Sequence, residues 1–461
     1  MTALCKSSSN DLAAEVLVDV VEAGEEPRAG RIACRIDHDL RFSTERLESY
    51  CLALWEPVVY DALVLCAGVE YCDRICRRPV HQWGRRIALC VPVHDPGRWN
   101  AKPVSDALHA ALDLLTGDKW HVSFVSRKTA FTTPKQFAFP LPSDIAAVIP
   151  FSEGLDSRAV AGLMHKEMGD QLIRVRLGTK AFTPVGPGAK QPFTSIPYKV
   201  KPESGAFIES SVRSRGFKFA MVSGLAAYLV SAGTIIVTES GQGALGPALV
   251  PVGQAYADYR NHPLFTDSME ALFAALYERS IRFEFPRLWH TKGETLASFV
   301  AACADGHTWS GTWSCWQQNR QASVAGRKRQ CGVCAACMLR RLSVDAAGLM
   351  ECPQTYIWED LSAATFEDGA AKEFKTITKA MREYAIAGTL HLDQLASLRH
   401  RKANQGTVAL AALQLARSRG IDETDAHTRL NRLLSAHETE WARFLTSLGP
   451  QSFVAQWVEQ R

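Results

Sequence analysis

The chain has 461 residues, enough to bury substantial cores and to form two or three domains. It is 47% hydrophobic and 22% charged, an ordinary globular composition, and its net charge of +4 is too small by itself to argue for nucleic acid. No apolar run is long enough to span a membrane and the first residues lack a basic-then-apolar signal pattern, so the expected location is cytoplasmic. In that setting the thirteen cysteines are expected to be mostly free thiols, apart from any metal cluster.

Residues 1–140 read as an α/β domain. Val16, Val18 and Val20 alternate as in a strand, and 31–36 gives a second. Leu63, Val64, Ala67 and Tyr71 share one face of a helix over 60–76. A strand over 85–93 stops at His94-Asp95-Pro96-Gly97, and a helix (104–115) and a strand (121–126) follow. Trp83, Arg85, Arg86 and Trp99 suit either a recognition surface or, more commonly, partly buried packing. The Pro-rich stretch 132–142 reads as a linker.

A second domain is expected over 144–352. The apolar run 145–151 predicts a buried strand, the small-residue turn 152–157 follows, and Ala159, Val160, Leu163, Met164 and Met168 fall at helical spacing. A strand (171–177), a long Gly/Pro/Thr-rich loop (178–197) and a helix (211–230) carrying Arg213 and Arg215 come next. The β-branched strand 234–238 ends in Glu239-Ser240-Gly241-Gln242-Gly243. A helix (269–277) and a strand (281–285) precede Thr291-Lys292-Gly293-Glu294, which opens another helix. Alternating strands and helices predict a parallel sheet with sites at the strands' carboxyl ends, so Ser152, Glu239 and Lys292 are expected to converge. Residues 353–461 read as helical over 372–386, 408–420 and 422–453, with no chemistry visible.

Two clusters carry chemistry. A strand, a tight turn and a helix leave free backbone N–H groups aimed at one point, which suits phosphate. Ser152 and Ser157 add hydroxyl donors, Gly154 admits close approach, and Asp156 makes sense there as a Mg²⁺ ligand. Glu153 repels a triphosphate unless it binds metal or pairs with a base such as Arg158 or Lys292. Farther on, Cys331, Cys334 and Cys337 have CxxCxxC spacing and Cys315 lies sixteen residues upstream, a set for tetrahedral Zn²⁺. An iron–sulfur cluster is the rival, and Cys303 and Cys352 are spare candidates for the fourth ligand. Four thiolates leave no open position, which points to a structural role. Arg327, Lys328, Arg329, Arg340 and Arg341 nearby either grip phosphate or RNA, or form a solvated loop beside the thiolates.

The turn with Ser152, Gly154, Asp156 and Ser157 resembles the Ser-Gly-Gly-x-Asp-Ser loop of enzymes that split ATP between its α- and β-phosphates, with Glu153 replacing a glycine. Cys315 followed by Cys331-Gly332-Val333-Cys334-Ala335-Ala336-Cys337-Met338-Leu339-Arg340 adds to it. So do Arg213-Ser214-Arg215-Gly216-Phe217, Glu239-Ser240-Gly241, His262-Pro263 and Thr291-Lys292-Gly293-Glu294. Together these resemble the QueC family of 7-cyano-7-deazaguanine synthases over about residues 145–345, and within it the longer QueC-like proteins of antiviral defence, the QatC type.

The resemblance implies an α/β fold: a parallel-sheet adenine nucleotide alpha hydrolase-like (PP-loop ATP pyrophosphatase) core with a zinc-binding segment, an N-terminal α/β domain and a helical C-terminal region. It implies adenylation of a 7-carboxy-7-deazaguanine-type carboxylate and transfer to ammonia or an amine. By the same resemblance Ser152, Glu153, Gly154, Leu155, Asp156, Ser157 and Glu239 bind the nucleotide, and Asp156, Lys292 and Arg213 are catalytic. Cys315, Cys331, Cys334 and Cys337 hold Zn²⁺, with Mg²⁺ and ATP as further requirements. The implied partners are ATP and the deazaguanine. A protein acceptor encoded nearby, a homodimer and nucleic acid stay open, and no membrane is implied. A scaffold of a defence complex, disabled by Glu153, is the non-enzyme alternative.

Overall fold

Runs of apolar and β-branched residues build two four-stranded sheets, and every strand in both is parallel. The computed structural model describes residues 15–42, 56–79, 84–129, 144–177, 193–203, 205–253, 255–317 and 323–459. The expected linker 132–142, most of the loop 178–197, and Trp83 lie outside them. The fold is thus mixed α/β with parallel sheets, as the strand–helix alternation predicts.

The first sheet has the order β2-β1-β4-β5, from β1 (Glu15–Val21), β2 (Ile32–Arg35), β4 (Arg86–Val93) and β5 (Lys119–Ser126). Helix α1 (Pro57–Ile75) packs on β4 and α2 (Lys102–Thr116) on β5. The second sheet has the order β10-β9-β6-β7, from β6 (Ala147–Phe151), β7 (Leu172–Arg176), β9 (Thr234–Ile236) and β10 (Arg282–Glu284). Pro150 follows the end of the β6–β9 pairing at Val148, so on that side its missing N–H costs no ladder bond. A short antiparallel pair, β3 (Leu40–Phe42) with β8 (Tyr198–Val200), has no signal in the sequence pattern.

The chain forms two compact units interleaved in sequence. One comprises 1–151, 168–237 and 259–284; the other comprises 152–167, 238–258 and 285–461. The first contains both sheets, with α1, α2, α4 (Arg215–Leu229) and α5 (Pro263–Tyr277). The segments that follow β6, β9 and β10 along the chain all belong to the second.

The second unit is mostly helical: α3 (Leu155–Met168), α6 (Lys292–Ala302), α7 (Ala335–Ala346), α8 (Lys379–Ser397), α9 (Gln405–Arg419), α10 (Glu423–Leu448) and α11 (Phe453–Glu459). Its apolar core joins Cys334, Cys337, Met338 and Leu342 to Trp358, Trp441, Phe444 and Phe453. A smaller cluster joins Leu155 and Ala159 of α3 to Leu296 and Phe299 of α6. Gly162 is needed there, because a Cβ would run into the Phe299 ring. The C-terminal helices therefore share one core with the cysteine segment.

Several boundaries move for local reasons. Helix α5 starts at Pro263, before the expected 269, because His262 Nδ1 accepts the Leu264 N–H and proline suits the first helical position. Helix α8 covers 379–397 in place of the expected 372–386, with the Thr378 side chain capping Met381 N–H. The predicted 422–453 helix divides at Gly449, whose φ is +81°. Arg85 and Trp99 are packing residues: Trp99 is buried, and Arg85 is buried against Asp73 and Asp118 at 3.1 and 2.7 Å. Among the described residues ten cysteines have free thiols, Cys76 is in a disulfide, and no helix is long and apolar enough to cross a membrane.

Candidate functional site

Leu155 is the first residue of α3, so Leu155, Asp156 and Ser157 occupy its first turn, where backbone N–H groups have no intrahelical partner. Buried Leu155 anchors this turn in the core shared with Phe299. Ser152 Oγ lies 2.9 Å from Ser157 Oγ and accepts the Gly154 N–H at 3.2 Å, and Ser157 Oγ lies 3.4 Å from Thr238 Oγ1. Among the described residues a Cβ on Gly154 would meet only Ser152 Oγ, at 3.2 Å, and the Trp313 carbonyl oxygen, at 4.0 Å. The Glu153 carbonyl accepts the Trp313 N–H at 2.7 Å, which ties the turn to the segment entering Cys315.

Lys292 converges on this turn from α6. The Thr291 side chain accepts the Glu294 N–H and Glu294 accepts the Thr291 N–H, a reciprocal cap that fixes where Lys292 starts. The Lys292 N–H donates to Gln242 Oε1 at 2.7 Å. Its buried ammonium pairs with Asp156 Oδ2 and lies 3.9 Å from Glu239 Oε1. Burial opposes the charge, but the Asp156 and Glu239 carboxylates outweigh it and hold the ammonium above the ordinary lysine range. Glu239 folds over Gly243, where any Cβ would collide with its carboxylate. Asp156 Oδ1 is buried and has no hydrogen-bond partner among the described residues.

Ser152, Gly154, Asp156, Ser157, Glu239 and Lys292 thus all lie in the second unit, with Asp156, Glu239 and Lys292 in one ion-pair cluster. Arg213 lies in the first unit, where its Nη1 donates to the Thr116 carbonyl at 2.8 Å. Gln242 and Trp313 were not singled out in the sequence. Gln242 sits inside the Glu239–Gly243 segment, but a glutamine that joins a backbone N–H to side chains on a distant helix has no motif.

Cys315, Cys331, Cys334 and Cys337 are buried, with ligand atoms all within 4.8 Å of one another. Backbone N–H groups of Cys331 and Gln317 point at Cys315 Sγ (3.2 and 3.4 Å), and that of Cys334 at Cys331 Sγ (3.3 Å). Such donors stabilise thiolates, so the set is compatible with Zn²⁺. Gly332 makes the tight turn between them: its φ is +89°, and a Cβ would lie 3.0 Å from the Trp358 carbonyl oxygen. Cys303 and Cys352 are outside the cluster.

The surrounding cations are mostly neither phosphate grips nor a solvated loop. Arg340 is buried, pairs with Glu351 and donates to Thr312 Oγ1 at 2.6 Å, which pins the strand of chain leading to Trp313. Arg341 donates to the Trp358 and Glu359 carbonyls, and Arg329 pairs with Glu359. Arg327 and Lys328 are exposed, with the Lys328 ammonium 4.8 Å from the Trp313 ring centroid.

The family model described as queuosine biosynthesis protein QueC matches residues 212–348. That span holds Arg213, Glu239, Lys292 and all four clustered cysteines; the 152–157 turn precedes it and α8 to α11 follow it. No curated protein and no solved structure matches the chain.

Proposed function

The chain is a QueC-family protein through residues 212–348, and on that premise we propose that it activates a carboxylate with ATP and joins the acyl group to nitrogen. The family assignment itself carries an ATP-using synthase of the ligase type. The finer reading is a PP-loop ATP pyrophosphatase acting on a 7-carboxy-7-deazaguanine-type substrate, with 144–352 as the catalytic region. One observation supports it above the others: the Lys292 ammonium, buried against Asp156 and near Glu239, in the unit that holds the Ser152–Ser157 turn.

In the first step a carboxylate oxygen attacks the α-phosphorus of ATP. The bond from that phosphorus to the bridging oxygen breaks, and pyrophosphate leaves with the electron pair. Negative charge gathers on the departing phosphates. The N–H groups at the start of α3, the Ser152 and Ser157 hydroxyls, and Lys292 would meet it there. Asp156 Oδ1, buried and without a hydrogen-bond partner among the described residues, suits a hard cation, so Asp156 would hold Mg²⁺. When bound, Mg²⁺ neutralises phosphate charge. In the second step nitrogen attacks the acyl carbon, the C–O bond to AMP breaks, and nitrogen releases a proton. In the nitrile-forming synthases a second ATP dehydrates the amide.

For Arg213 a charge-neutralising role rests on the resemblance alone, as do a protein acceptor and a place in antiviral defence. The second reading, a nucleotide-binding scaffold, is favoured by Glu153 standing where the loop pattern has glycine. Assaying wild type and Glu153→Gly with ATP, Mg²⁺, 7-carboxy-7-deazaguanine and ammonia separates the two. Equal release of AMP and pyrophosphate by the wild type is expected. ADP and phosphate as products, or a silent wild type beside an active Glu153→Gly, would overturn the proposal.

A further inference from the structure

Helix α10 lies outside the matched span, yet one of its faces addresses the cap of α6. Arg432, Leu433, His437 and Glu440 fall at helical spacing on that face. Arg432 Nη1 donates to the Trp289 carbonyl at 2.9 Å and to Glu294 Oε2 at 2.8 Å. Leu433 packs so closely on Gly241 that a Cβ there would lie 2.6 Å from Leu433 Cδ2. Burial lowers the His437 pKa to about 4, so its ring is neutral near pH 7. Its Nε2 donates to the Leu392 carbonyl at 2.9 Å, and its Nδ1 accepts from Gln242 Nε2 at 2.8 Å.

Glu440 completes this face. Its Oε1 accepts the Thr291 hydroxyl at 2.5 Å, and its Oε2 accepts from Gln242 Nε2 at 3.2 Å. Gly293 leaves room for it, since a Cβ there would lie 2.9 Å from Oε1. Gln242 is therefore held from one side by His437 and Glu440 while its Oε1 takes the Lys292 N–H. Thr291, the other group Glu440 holds, is the cap immediately before Lys292.

We propose that Glu440 is a positioning residue for Lys292, acting from the C-terminal helix α10 through Thr291 and Gln242. The proposal rests on the ATP reading of Lys292 and Asp156, and adds to it a dependence on a helix beyond the family match. Burial, with Glu294 nearby, pushes the Glu440 carboxyl up to about 7. The other charged groups around it are Arg432 and Arg443 on α10, with Arg443 in turn donating to the Asp345 carbonyl of α7. The ionised carboxylate has acceptors for both donors; protonation replaces one with a third donor. Lys292 is thus best held above about pH 7.

The test compares the full-length wild type with Glu440→Gln and Glu440→Asp. With 7-carboxy-7-deazaguanine, ATP, Mg²⁺ and ammonia, the wild-type kcat for AMP formation should rise with pH through about 7. Glu440→Gln should lose that rise and run roughly ten- to a hundredfold slower at high pH, the scale of a misplaced catalytic group. Its KM for ATP should move less than its kcat. Glu440→Asp, which keeps the charge, should restore the rise. Backbone amide exchange at residues 292–295, measured without ATP, should be faster in Glu440→Gln. A wild-type pH profile in Glu440→Gln, or unchanged exchange there, would overturn the proposal. If the wild type forms no AMP at any pH, the ATP reading fails, and the exchange measurement decides the positioning role alone.

Discussion

Asp156 and Lys292 compensate each other in a buried setting, and removing Asp156 leaves the ammonium with Glu239, 3.9 Å away, in place of its nearer carboxylate. Asp156→Ala should therefore abolish AMP formation and lower unfolding stability by about 3–5 kcal/mol, read by chemical denaturation. The Lys292 pKa is raised on folding, so its contribution is present below the unfolded value and lost only as pH rises through the folded one, in strongly alkaline solution. Burial pushes the Glu440 carboxyl up to about 7. Its folded pKa is raised, so the native state binds the extra proton between the ordinary carboxylate range and about 7, and stability falls as pH rises across that window. Denaturation of wild type and Glu440→Gln at about pH 5 and about pH 8 should show the variant gaining on the wild type at the higher pH; a constant difference would contradict this. Asp156, Lys292, Glu239 and the four cysteines were legible in sequence because each sits in a short local pattern. Glu440 and His437 were not, because their partners, Thr291 and Gln242, lie some 150 or more residues away along the chain. Arg340 was misread because an arginine beside cysteines looks the same in sequence whether it is solvated or buried on a glutamate.

At the scale of elements, α7 carries Cys337, and α8 crosses its start so closely that a Cβ on Gly388 would lie 2.7 Å from the Ala335 nitrogen. Backbone cannot yield as a side-chain tip can. Gly388→Ala should cost about 1–3 kcal/mol and weaken metal retention, measured as zinc per chain after dialysis. The cysteine cluster should hold about one Zn²⁺ whose binding supplies folding free energy on the order of 10 kcal/mol, so Cys334→Ser should lose metal and solubility together. An iron–sulfur absorbance band, or well-folded protein without metal, would contradict this. Most strand and helix identities followed from apolar periodicity; the β3–β8 pair and the α8 boundaries did not. Gly388 sits inside a helix because a neighbour needs the space, and spacing alone cannot report that.

For the whole molecule, the C-terminal helices read in sequence as a tail without chemistry, but Trp441, Phe444 and Phe453 complete the core around Cys334 and Cys337. A chain ending at residue 352 should therefore be insoluble or unfolded, assessed by circular dichroism and gel filtration; a folded, zinc-loaded product would contradict that packing. Alternating strands and helices made the parallel sheets legible. The interleaving of the two units was not, because it depends on where the chain goes after β6, β9 and β10. The proposed reaction begins with attack of a substrate carboxylate on the α-phosphate of ATP. Its most direct test is to supply 7-carboxy-7-deazaguanine labelled with oxygen-18 in the carboxylate, with ATP, Mg²⁺ and ammonia, and to weigh the nucleotide product. AMP carrying one labelled oxygen is the predicted result; unlabelled AMP, or ADP in its place, would contradict it.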